Sequence, residues 1–368
     1  MHRLVIVLVF ASSFFTSPAR ADDTPSTTED GPSYLSDCSD SNDADDYAGA
    51  IDSCSEALKA GGLDNAETFM AYLYRGMAHH SRNEDDAAIA DFTEAFAADP
   101  DHKNTDFAHF ERGAAYLSEK QYDKALADFD AAVKLTPTEA MYYELRGTTD
   151  FDLGRRNDAV ADLSKAIDMK PKEADAYSER SVVYLMQGDF AGAIADSAQV
   201  LQLNPDDTSA RSVMGESYYF QGDYPQALQK FDEGVAKFPD DDYAMIWRYL
   251  AAQRAGQDGG KALAAEFDAM KDKSGWTYVL GQLFLGKSSG DKVLAAVGAA
   301  TTDPDVEKQA LCQTKTFMGE FYRNGGQNDK ATALFKEAAQ LCAQDSVGRI
   351  LVEQGLKPHA AKKGKRSD

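Results

Sequence analysis

The chain has 368 residues, 43% hydrophobic and 27% charged, a balance that suits a folded body rather than a disordered one. Its formal net charge of −23 repels nucleic acid and anionic headgroups, so neither is expected as a main partner.

The opening stretch, 1–21, places one positive charge, Arg3, before an apolar run from Leu4 to Phe15 and ends in Ala19-Arg20-Ala21, a small-x-small pattern. The run is too short to span a bilayer, so it reads as a secretory signal peptide cleaved near Ala21. The mature chain, periplasmic or secreted, then starts at Asp22 with about 25 excess negative charges, since Arg3 and Arg20 leave with the leader. No cysteine stands near the cleavage point, which excludes an acylated N-terminus. Residues 22–33, DDTPSTTEDGPS, read as a disordered lead-in.

From residue 67 a fixed pattern sets in. Twelve, sixteen, nineteen and twenty-four residues after Gly76 stand Ala88, Phe92, Ala95 and Pro100. The same offsets from Gly113 give Ala125, Phe129, Ala132 and Pro137, and from Gly147 they give Ala159, Leu163, Ala166 and Pro171. Ser181 leads to Ala193, Ser197, Val200 and Pro205, and Gly215 to Ala227, Phe231, Gly234 and Pro239. After a slightly longer first step, from Gly76 to Gly113, the starts Gly113, Gly147, Ser181 and Gly215 are evenly spaced. Small residues let two antiparallel helices approach, the larger one fills the groove between them, and proline ends the second helix. Over residues 67–239 the chain thus resembles the tetratricopeptide repeat (TPR) closely. The resemblance implies an all-α, right-handed solenoid of stacked antiparallel helix pairs, each burying its apolar face on its neighbours.

Partial copies flank these five units. Ala50 and Ala57 put a hairpin at 34–60, with Cys38 at its small first-helix position; Gly319, Ala331, Phe335 and Ala338 put a terminal one at 307–346. Cys38 and Cys54 lie equally far from their turn, as do Cys312 and Cys342 from theirs. Export permits disulfides, and matching heights on antiparallel helices point to Cys38–Cys54 and Cys312–Cys342 bridges that staple the two end hairpins. Each adds roughly 3 kcal/mol by the chain-entropy account. Redox-active thiols are the other reading, but no C-x-x-C is present.

Residues 240–306 leave the register as divergent helical hairpins around Trp247 and Trp276, and 347–368 read as a short helix and a basic, disordered tail. The order W-x-Y-L-A, then W-x-x-x-L-G-x-x-L-G-K, then FMGEFYRNGGQNDKATALFKEAA is similar to the C-terminal half of the NlpI-like TPR lipoproteins of bacterial envelopes. That likeness implies an adaptor that docks envelope proteases and cell-wall hydrolases, often as a homodimer. The chain departs from it in lacking the lipid-anchor cysteine and in carrying more repeats upstream.

Enzymatic chemistry finds little support: G-x-S-x-G, H-E-x-x-H and P-loop motifs are all missing, and no cofactor is implied. A metal site at His79, His80, His102 and His109 is weighed against a plainer reading, in which His79 and His109 pack between helices while His80 and His102 are exposed. Acidic turns such as FPDDDY lack the glycine and distal glutamate of a calcium loop.

Binding by the inner surface remains. In a TPR array it is lined by first-helix positions six and three before the reference glycine and one and four after. Here these include Met70, Leu73, Met77, Phe107, Phe110, Leu117, Met141, Phe151 and Tyr219, apolar at first and then more acidic. Met and Phe suit an apolar extended or helical peptide. The expected function is a non-catalytic adaptor scaffold of the bacterial envelope, binding a protein or peptide segment in this groove. The alternative is a structural, self-oligomerising module whose groove is filled by its own chain or a second copy; a metal-binding or enzymatic protein is a weaker third reading.

Overall fold

The computed structural model describes residues 31–344 and 346–357. The leader, residues 22–30 of the lead-in and the tail beyond Lys357 lie outside the described residues. The chain is all-α, with consecutive helices packed in pairs as a TPR-like solenoid, and it divides into two compact units after Pro171.

The first unit holds α1 (Gly31–Asp43), α2 (Tyr47–Ala60), α3 (Asn65–Ser81), α4 (Asp85–Ala98), α5 (Thr105–Ser118), α6 (Tyr122–Leu135), α7 (Ala140–Asp152) and α8 (Arg156–Met169). The second holds α9 (Asp175–Gln187), α10 (Phe190–Leu203), α11 (Thr208–Gln221), α12 (Tyr224–Lys237), α13 (Asp242–Arg254), α14 (Gly260–Ala269), α15 (Trp276–Phe284), α16 (Gly290–Ala300), α17 (Pro304–Asn324), α18 (Asn328–Ala338) and α19 (Val347–Leu356). Helix α1 starts at Gly31, inside the stretch expected as a disordered lead-in, because Gly31 is buried against the end of the α2 hairpin beside Ala57 and Gly61.

Sequence chemistry explains the hairpins. Side-chain caps start many helices: Asp64 and Glu67 form a reciprocal capping box on α3, and Asp189, Asp207, Asp223 and Asp241 cap α10 to α13. The second helices of the five regular units each stop two residues before their proline. At the crossing of α3 and α4, a Cβ on Gly76 would stand 2.7 Å from the Phe92 ring, so only glycine fits; Gly215 faces Phe231 in the same way. Ser181 breaks this pairing together with its partner: Ser197 replaces the phenylalanine, so a larger first-helix residue meets a smaller one across the same gap.

The second unit has one continuous core that runs from Leu185 to Val352. Trp247, fully buried on α13, touches Tyr219, Phe220, Phe231 and Phe317 with ring centroids 5.1–5.9 Å apart. The boundary expected at residue 240 therefore passes through this core. The register also continues past it: Arg248 falls one full repeat step after Met214 and two after Arg180.

Candidate binding surfaces

On α3, α5 and α7 the inner positions share one helical face by their spacing of three and four residues. Six of the side chains there are half-buried: Met70 and Met77 on α3, Phe107 and Leu117 on α5, Met141 and Phe151 on α7. The Asn104 amide reaches the Met70 sulfur at 3.3 Å, and Phe107 lies 6.2 Å from Phe110. They make an apolar strip that water reaches in part.

Three of the expected groove residues are not at this surface. Leu73 is 1% exposed and Phe110 fully buried, each in the core of its own repeats; Phe110 sits 5.1 Å from the Tyr142 ring and 6.0 Å from Phe129. The position three before the reference residue is covered by neighbouring helices even where it is small and polar: Ser178 and Ser212 are buried there as well. Tyr219 is 2% exposed for a different reason: α17 covers it. Its hydroxyl donates to Glu320 at 2.9 Å.

In the second unit the inner face of α11 and α13 is occupied by its own chain. Phe317 of α17 packs 5.9 Å from Tyr243 and 5.4 Å from Trp247, and Phe321 stacks 4.8 Å from Phe284. Glu320, fully buried, pairs with Arg323 as well as Tyr219. The Gln354 amide of α19 donates to the Phe220 carbonyl at 3.3 Å. The Cys312–Cys342 disulfide, with Cα atoms 5.0 Å apart, ties α17 to the segment after α18, and Gly348 of α19 packs against both sulfurs. In the first unit a Cys38–Cys54 disulfide joins α1 to α2 with Cα atoms 4.9 Å apart.

Glu111 and Glu216, buried on first helices, have carboxyls raised by that burial. Glu216, 3% exposed, accepts the Tyr243 hydroxyl at 2.8 Å, and burial pushes its carboxyl up to about 7. Glu111 on α5 is 1% exposed, its Oε1 has no hydrogen-bond partner among the described residues, and burial pushes it up to about 8.

The four histidines among the described residues make contacts within the fold. His80, expected to be exposed, is half-buried and bonds Asp85; His102 stacks 4.1 Å from Phe69. His109 bonds Asp128 at 2.8 Å, and His79 bonds Glu84 at 2.6 Å. Among the described residues no group of His, Cys, Asp and Glu is arranged to hold a metal ion.

One recurring feature escaped the sequence reading. The residue before the reference position is Arg75, Arg112, Arg146 and Arg180 in successive units, and each makes two bonds to an aspartate sixteen residues on: Asp91, Asp128, Asp162 and Asp196, at 2.6–2.9 Å. The free guanidinium nitrogen of Arg75, Arg112 and Arg146 reaches the preceding hairpin at Ser55, Thr93 and Asp130. This fork clamps helix to helix and repeat to repeat. Met214 and Lys230 occupy the pair's places in the fifth unit, and Arg248 resumes contact with Asp232 and Glu266. Its signal is an Arg–Asp spacing of sixteen, visible only when two columns of the repeat are compared.

Family models described as tetratricopeptide repeat match residues 43–103 and 145–208, residues 106–139, and residues 184–251. Among solved structures the chain is similar to a tetratricopeptide repeat protein from Parabacteroides merdae ATCC 43184, with 14% identity, 78% of this chain and 99% of that one covered, and a TM-score of 0.54. It is also similar to Pseudomonas aeruginosa pilF, at 18% identity over 61% of this chain and 99% of that one, TM-score 0.49. YrrB, described as a TPR protein with an unusual peptide-binding site, is 20% identical over 53% of this chain and 97% of its own, TM-score 0.46. At these identities the likeness concerns the fold alone.

Proposed function

With the chain taken as what its repeats make it, a tetratricopeptide-repeat protein, we propose that it is an exported, non-catalytic interaction scaffold which binds a protein or peptide segment on the inner face of its first unit. The observation that carries this reading is the strip of six half-buried Met, Phe and Leu side chains on α3, α5 and α7. Repeat proteins bury their apolar faces on neighbours, so apolar side chains left partly wet along one face mark a place for another molecule. Two disulfides suit an oxidising compartment, in keeping with the leader-like stretch 1–21. Among the described residues no helix is long and apolar enough to cross a membrane. The narrower form of the proposal is an adaptor in a bacterial envelope whose partners are proteases or cell-wall hydrolases, as the NlpI-like resemblance implies, with homodimerisation as a further element.

A second reading is favoured by α17. The second unit would be a structural module whose inner face the chain itself fills, leaving recognition to the first unit. Affinity capture from envelope extract tests both. Leu117→Ser with Phe151→Ser should weaken capture by about tenfold or more, equivalent to about 1.4 kcal/mol, with helicity retained. Unchanged capture would remove the first unit's inner face as the binding surface.

A further inference from the structure

The second unit displays the kind of segment its repeat geometry accepts. Tyr243 and Tyr219, at inner positions of α13 and α11, are met by a single helix, α17, through Phe317 and Glu320. Phe317, Glu320 and Phe321 are three and four residues apart, so they project from one side of that helix. The first unit presents the equivalent positions as Met70, Met77, Phe107, Leu117, Met141 and Phe151, half-buried and with no further helix of residues 31–171 laid over them.

The two faces differ in charge. No inner position of α3, α5 or α7 carries Lys or Arg. The one arginine that each of these helices carries, Arg75, Arg112 and Arg146, is committed to its aspartate on the second helix. Acids are present instead: Glu144 stands among the inner positions, and Asp106, next to Phe107, accepts from Tyr142. The whole chain carries 61 acidic against 38 basic residues. A ligand helix bearing acids, as α17 does, would meet like charge here, whereas a basic one would meet complementary charge and be steered onto the face.

We propose that the inner face of residues 31–171 docks, from a separate protein, an amphipathic helix with aromatic or aliphatic residues three and four apart and lysine or arginine beside them. This rests on the groove reading above and gives it a ligand chemistry.

The test uses the full chain and three fluorescently labelled synthetic peptides with one apolar spacing: one flanked by lysines, one by glutamates, and a lysine version with a central proline that breaks the helix. Anisotropy should show the helical lysine peptide binding about tenfold or more tighter than either other, with affinity falling as salt rises. Phe151→Ser should weaken that binding about tenfold and Glu144→Lys several-fold, both with unchanged circular dichroism. If all three peptides bind alike yet Phe151→Ser still weakens them, the groove reading stands and this inference falls. If no peptide binds, or Phe151→Ser has no effect, both fall. A concentration-dependent dimer abolished by Phe151→Ser would assign the face to a second copy, and tighter peptide binding after removal of residues 358–368 would assign it to the chain's own basic end; either overturns the proposal.

Discussion

The two units build similar hairpins and put them to opposite ends. In residues 31–171 the first helices keep a strip of Met, Phe and Leu half-open, whereas in the second unit Tyr219 and Tyr243, at equivalent positions of α11 and α13, lie beneath α17. Repeat chemistry dictates where an inner face will be. Whether that face is a surface depends on what the rest of the chain does with it.

The contrast breaks or sharpens most visibly at Trp247. Both tryptophans lie in the second unit, so fluorescence reports that unit alone while circular dichroism reports both. Trp247→Ala removes the centre of the second core and should cost about 3–5 kcal/mol in the urea transition seen by Trp276, with the first unit's helical signal unmoved. Equal shifts in both signals would merge the two units into one cooperative body.

Buried carboxyls come next. A glutamate raised by burial binds its proton more tightly in the folded chain, so its contribution is complete below the ordinary carboxylate range. It is lost as pH rises through about 7 for Glu216 and about 8 for Glu111. For Glu216 the loss is on the order of 3 kcal/mol across that window. Urea midpoints should therefore fall between pH 5 and 8, about the onset and the end of that window. Glu216→Gln should flatten the fluorescence-detected slope, and Glu111→Gln the slope of the first unit. A slope untouched by either substitution would refute this assignment.

The clamp runs unbroken through the regular repeats of the first unit but is interrupted in the second, where Arg180 and Asp196 are followed by Met214 and Lys230. Burial pushes the Asp128 carboxyl up, but bonds from Arg112 and His109 hold it below its ordinary value. Arg112→Ala leaves that buried carboxylate with His109 alone and should destabilise the first unit by about 2–3 kcal/mol, read by circular dichroism. A loss under about 0.5 kcal/mol would reduce the clamp to a surface ion pair. The smallest effect belongs to Tyr219→Phe, which deprives Glu320 of one donor while Arg323 remains and should cost about 1–2 kcal/mol in the fluorescence transition alone. No change would mean that this bond does not help hold α17 in place.

The hairpins were legible because close helix crossings restrict residue size: glycine at 76 requires space for Phe92, and the offset repeats wherever the crossing does. The pairing of Cys38 with Cys54 and of Cys312 with Cys342 followed from heights along antiparallel helices. The return of α17 was not legible, since Tyr219 and Glu320 meet across 101 residues with no local periodicity to announce it. Nor was the burial of Leu73 and Phe110, because position within a repeat names a face without saying what the next hairpin lays against it. Arg248 shows the converse: the repeat step persisted where the other columns had drifted.

Methionines sit on the first unit's inner face and in the second unit's core, and report exposure without any substitution. Met70, Met77 and Met141 are half-buried on the first unit's inner face, whereas Met245 and Met318 in the second unit's core are 0% and 3% exposed. Mild peroxide treatment of the folded chain followed by peptide mass spectrometry compares their oxidation rates directly. An open first face and a filled second one predict that Met70, Met77 and Met141 oxidise well before Met245 and Met318. Comparable rates across all five would contradict it.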